Sequence, residues 1–329
     1  MALPLVQRVV ERMTPQTTTV FLCHRFDVDV PGQRSHSSAT LVAVLEWLRR
    51  RRHRLVSIDQ VVAARRGMAA PLGRAVAFTV DDGYEDQAEI ASVFARFECP
   101  VSVFLTTGFV DGVVVPWWDQ LAEILDRAPA GVEAEWPDGP VHVRADDPRR
   151  PTLRALEERC KEWPPEVRDA AVATLAAAAA TDVPSTPGAN GRPLAWDRAR
   201  ELERSGLVAF GPHTVTHPVL RVLDDESAAA EIGGSWRRVQ DELAAPLPVF
   251  CYPNGRATDF GERDVGLVRA AGCVGAVTGE VEYADRGTAD AYRIARVPFP
   301  ADVSGATRWV SGFEVVAART RRWRSSRPR

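Results

Sequence analysis

Seven short apolar runs rich in valine, phenylalanine and threonine, separated by segments of helical length, constrain this chain more than any other feature. They predict strands at Thr18–Cys23, Ala75–Val80, Val101–Thr106, Leu207–Phe210, Val249–Tyr252, Val274–Thr278 and Ile294–Val297. Helical patterns lie between them, at Ser38–Arg52, Glu85–Phe97, Trp196–Ser205, Asp225–Leu243 and Phe260–Ala271. Strands alternating with helices imply an α/β architecture, either a closed barrel or an open doubly wound sheet. The reactive side chains decide between the two. His24, Asp81 with Asp82, Thr106 with Thr107, His213, and Pro253 with Asn254 each directly follow a predicted strand. Five strand ends converge more easily around a ring than at one crevice, so a (β/α) barrel is expected.

The alternation breaks from about 117 to 194, where proline-rich borders flank a helical middle, Pro165–Thr181. This stretch reads as a mostly helical insertion in a barrel spanning 18–310, with a basic tail at 311–329. Because it follows the third strand, it lies beside the active-site face, where it either covers the pocket or packs on the flank. A length of 329 residues suits one barrel of roughly 250 residues plus an insertion.

A net charge of -3 gives no general attraction to nucleic acid. The opening MALPLVQRVVERMTPQ lacks a secretory pattern, and no run reaches the roughly 18 to 20 apolar residues of a membrane span. A soluble, cytoplasmic protein is expected. Cys23, Cys99, Cys160, Cys251 and Cys273 stand singly, which argues for buried thiols and against disulfides or a zinc-thiolate site. The cluster RRRRHR at 49–54 reads as a solvated helix end. The tail RTRRWRSSRPR reads as a mobile end, with peripheral contact to an anionic membrane as its minority reading.

Three motifs carry chemistry. In VAFTVDDGYED, from Val76 to Asp86, an apolar strand runs into two adjacent carboxylates. Two acids at a buried strand end resist ionisation unless a cation or hydrogen bonds compensate, although an isolated Asp-Asp-Gly is also a common turn or cap. In FGPHTVTHP, His213 and His217 stand four apart, close enough to share one ion. One carboxylate and two imidazoles leave coordination positions open, as a metal that activates water requires, and the other aspartate is then free to act as base. In FCYPNG, from Phe250 to Gly255, proline and glycine make a turn that could aim a backbone N–H at an oxyanion, or be an ordinary turn.

Taken in this order, TVDDG, HTVTH and FCYPNG resemble the polysaccharide deacetylase family of carbohydrate esterases, as do VSVFLTTGFVDG and PWWDQL. The resemblance covers roughly 18–125 and 195–300. It implies a distorted (β/α) barrel and metal-dependent hydrolysis of an N-acetyl group on an amino sugar or glycoconjugate. It further implies Asp81 as base, Asp82, His213 and His217 as ligands of a divalent metal, Zn2+ foremost, and the turn of Tyr252, Pro253 and Asn254 as the oxyanion and substrate element. Two departures stand out. Cys251 occupies the place where many members carry an arginine that orients the base, and no histidine follows His217 to serve as acid. His24, after the first strand, looks like the early histidine of a subset of the family and is the expected acid. Asp27 and Asp29 beside it read as supporting structure or substrate contact. The competing readings are a carbohydrate-binding protein on the same barrel and a deacylase of another linear amide.

Overall fold

The computed structural model describes residue 14, residues 17–28, 35–129, 131–144, 149–188, 191–285 and 290–315. The N-terminal segment, Asp29 and the basic tail from 316 onward lie outside these.

Seven strands carry the architecture: β1 Thr19–Cys23, β2 Ala75–Asp82, β3 Val101–Leu105, β4 Val208–Pro212, β5 Val249–Cys251, β6 Gly275–Val277 and β7 Val297–Pro298. Five of them pair in the order β7-β1-β2-β3-β4, all parallel. β5 and β6 form a separate parallel ladder. The ring closes around these two blocks at two seams. Leu247 N–H donates to the Phe210 carbonyl at 2.8 Å beside β4, and Ile294 bridges Val277 of β6 just ahead of β7. The circuit is therefore a distorted (β/α) barrel whose first and last strands are neighbours, with Phe21 opposite Val297. Strands buried on both faces explain the unbroken apolar runs. All eight residues of β2 are buried.

Alternation along the strands sorts two layers. Val20, Ala75, Ala77, Phe104, Val249, Cys251, Val277 and Ile294 share one cluster, while Phe21, Val76, Phe78, Val103 and Phe210 pack with the surrounding helices in another. The helices begin where capping side chains satisfy free N–H groups. Ser37 accepts from Thr40 N–H, and Asp224 accepts from Ser227 N–H. The arginine cluster sits at the end of helix Ser38–Arg50, where Arg49 and Arg50 pair with Glu98 and Glu46.

The segment after β3 builds its own core from Trp117, Leu121, Trp136, Leu153, Val172 and neighbours. It contains helices Trp117–Arg127, Arg149–Cys160 and Pro165–Ala178, together with an antiparallel hairpin, Val132–Trp136 with Gly139–Val143. The sequence reading missed this hairpin, although VEAEW alternates apolar and polar residues and is buried in strict alternation. Among the described residues no helix is long and apolar enough to cross a membrane.

Candidate metal centre

Strict alternation would send Asp81 and Asp82 to opposite faces of β2. Asp81 follows the layer of Ala77 and Thr79, and Asp82 escapes the other face because its backbone turns into the left-handed region, at φ 90°. Gly83, at φ 92°, continues the turn. Thr214, His217 and Asn254 also have positive φ, at 64°, 59° and 56°. Of the eight described non-glycine residues with positive φ, these four lie in the three motifs, where such strain is often held in place by function.

The structure brings Asp82, His213 and His217 together, with ligand atoms all within 4.8 Å of one another. The Nε2 atoms of His213 and His217 each lie 3.6 Å from Asp82 Oδ1. All three residues are nearly buried. Among the described residues no hydrogen bond reaches the Asp82 carboxylate. Burial pushes its pKa well up, with Asp81 and Asp119 adding to the effect. Burial draws His213 down to about 4 and His217 well below its ordinary value, which favours the neutral imidazole in both. A buried carboxylate lacking donors and facing two neutral imidazole nitrogens is a donor set that fits a divalent cation.

His213 is oriented by its other nitrogen, with Nδ1 lying 2.7 Å from the Cys251 carbonyl. The loop carrying both histidines is held from helix Asp225–Glu242. Glu231 accepts from Val215 N–H at 2.7 Å, Thr216 N–H at 2.9 Å and the Thr216 hydroxyl at 2.6 Å. Thr106 and Thr107 stitch the strand ends together, since Thr106 N–H donates to the Asp82 carbonyl and Thr107 N–H to the Thr214 carbonyl.

Asp81 has a partner the sequence reading did not find. Arg296, immediately before β7 and 1% exposed, donates from Nη1 to Oδ1 at 2.7 Å and from Nη2 to Oδ2 at 2.8 Å. Arg296 also donates to Thr79 Oγ1 at 3.0 Å and to Cys251 Sγ at 3.2 Å. Burial alone would raise the Asp81 pKa, but the guanidinium holds it below the usual carboxylate range. The arginine missing before the proline turn is thus supplied from a different strand. Cys251, whose thiol burial keeps neutral, fills the space beside it. A cue was present in the sequence, because a charged residue inside the predicted strand Ile294–Val297 requires a buried partner.

His24 is half-buried directly after β1, close enough to Asp81, His213 and His217 to perturb them electrostatically. Asp27 accepts from Ser38 N–H at 3.0 Å and caps that helix, a supporting role. Asn254 sits on a tight turn packed against Gly279, where an added Cβ would lie 2.2 Å from the Asn254 carbonyl. The Tyr252 ring is 1% exposed and stacks on Phe260 at 3.9 Å. The insertion reaches the same turn, because Arg256 donates two hydrogen bonds to Glu158 at 2.7 and 2.9 Å.

Fold and site together define an α/β barrel with a buried carboxylate–imidazole cluster at its strand ends. Comparison with known proteins narrows this class. The polysaccharide deacetylase family model matches residues 165–265, which take in the second and third motifs but not the first. The fold is similar to that of Streptococcus pyogenes deacetylase PplD in complex with acetate, with TM-score 0.60, 13% identity and coverage of 90% of this chain and 99% of that one. It is also similar to IcaB from Ammonifex degensii, with TM-score 0.59, 16% identity and coverage of 90% and 97%. A third similar structure is the de-N-acetylase from Aggregatibacter actinomycetemcomitans, with TM-score 0.52, 14% identity and coverage of 89% and 99%. No sequence among the curated proteins matches. Part of the chain thus matches the polysaccharide deacetylase model, and its fold is similar to that of solved deacetylases.

Proposed function

We propose that this chain is a metal-dependent N-deacetylase acting on an N-acetylated amino sugar or glycoconjugate. The observation that carries the reading is the meeting of Asp82, His213 and His217 beside an Asp81 whose charge Arg296 secures. A divalent cation, zinc by the nature of the donors, would supply Lewis acidity and make water acidic enough to react at neutral pH. Asp82, His213 and His217 would hold it. Asp81 accepts the proton of the attacking water, and Arg296 keeps that carboxylate ionised and aimed. The Asn254 backbone N–H, which makes no hydrogen bond among the described residues, donates to the developing oxyanion. His24 protonates the departing amine. Within this reading the substrate is a small or terminal sugar, lipid-linked or nucleotide-linked, and the cytoplasm is the site of action.

Zinc-loaded protein incubated with N-acetylglucosamine-containing substrates should release acetate, and Asp81→Asn should remove that release by at least about 10²-fold. Sugar binding without acetate would instead support a receptor on the same barrel. Acetate-free turnover of other linear amides would redirect the substrate class. For His24→Ala, turnover should fall on the order of 10²-fold while zinc affinity stays within about threefold, read by steady-state kinetics beside zinc titration. Unchanged turnover removes His24 from the mechanism.

A further inference from the structure

We propose that the insertion completes the metal centre: Trp118, on its first helix, is the positioning residue for His217, and Tyr84 with Asp119 fixes Trp118. This rests on the reading of Asp82, His213 and His217 as metal ligands. A ligating imidazole is ordinarily oriented by a hydrogen bond from its second nitrogen. His213 has one, to the Cys251 carbonyl, but among the described residues the buried Nδ1 of His217 has no hydrogen-bond partner. The plane of the His217 ring is therefore set by packing. Its aromatic neighbours among the described residues are the Trp118 ring, edge-on with centroids 4.5 Å apart at 65°, and the His213 ring at 4.7 Å and 78°. His213 is itself a ligand, so the external wall is Trp118.

Trp118 is held in turn. Its Nε1–H donates to the Tyr84 hydroxyl at 2.8 Å, and that hydroxyl donates to Asp119 Oδ2 at 2.8 Å. Tyr84 is 1% exposed, with the Arg25 guanidinium 3.8 Å over its ring. Because Tyr84 follows Asp82 and Gly83 directly, the same contacts tie the loop of the carboxylate ligand to the insertion. The far end of the insertion closes the grip: Glu85 N–H donates to the Arg192 carbonyl at 2.9 Å, and Leu194 N–H to the Gly83 carbonyl at 2.8 Å. Two of the three ligands are thus positioned from outside the barrel.

The test measures zinc affinity of the full chain by competition with a chromophoric chelator. Trp118→Ala should weaken binding about 10- to 100-fold. Trp118→Phe keeps an aromatic wall but loses the indole's second ring and its hydrogen bond, so it should recover part of that loss. Trp163→Ala, which removes a ring packed on Trp136 within the insertion, should lower thermal stability and leave zinc affinity unchanged. Wild-type affinity in Trp118→Ala, or equal weakening in Trp163→Ala, overturns the inference. A wild-type chain that binds no zinc overturns the metal reading, and this inference with it.

Discussion

Replacing Arg296 by glutamine is expected to abolish measurable deacetylation and to destabilise the fold together. Both partners of the Arg296–Asp81 pair are almost fully buried, at 1% and 2% exposure. Removing one partner of such a pair costs about 3–5 kcal/mol, because the remaining charge is left without compensation. Asp81 then has burial pushing its pKa upward and no guanidinium opposing it. A base must be unprotonated to act, so the acid limb of any residual pH–rate profile should move to higher pH. The rate at pH 7 should fall on the order of 10²-fold or more. Arg296→Lys keeps the charge but loses the two-pronged geometry, and should lie between glutamine and wild type. Combining Arg296→Ala with Cys251→Arg returns a guanidinium from the strand on which family members carry it, and should recover part of the activity. Activity of Arg296→Gln at the wild-type level, with an unshifted acid limb, would remove Arg296 from the mechanism.

That Arg296 escaped the sequence reading, while most of the barrel did not, has a physical cause. Strands buried on both faces leave a dense apolar signal, so β1 to β6 were visible to within about two residues. Asp82, His213 and His217 stood at strand ends in a spacing that ordinary turns seldom need. Arg296 has no such pattern around it. It is one of forty arginines, and its importance comes from ring closure, which brings β7 beside β1 and across from β2. Cys251 misled for the same reason: an absent arginine at one strand end looked like lost chemistry, whereas a barrel can deliver the same group from a neighbouring strand. Trp118 was visible as part of PWWDQL, but its contact with His217 depends on how the insertion folds back, which local periodicity does not encode.

Asp82→Asn separates what the site does from what it costs. In the metal-free protein, Asp82 is a buried carboxylate with no hydrogen-bond donor and with Asp81 and Asp119 repelling its charge. Its pKa is raised in the fold, so its ionised form opposes folding at every pH above the ordinary carboxylate value, and increasingly so up to the folded value. Asparagine has nearly the same shape and no charge to desolvate. The metal-free variant should therefore melt at a higher temperature than metal-free wild type. Added zinc should reverse the order. Ligand at about 100 times its dissociation constant stabilises by about 2.7 kcal/mol, which in a chain of this size is a rise of several degrees. Wild type should show that rise, and Asp82→Asn should show little of it and release no acetate. Differential scanning fluorimetry with chelator and with zinc reads both halves. A variant less stable than wild type in chelator would mean that Asp82 contributes to the fold without metal, and a zinc-dependent rise kept intact in the variant would exclude Asp82 as a ligand.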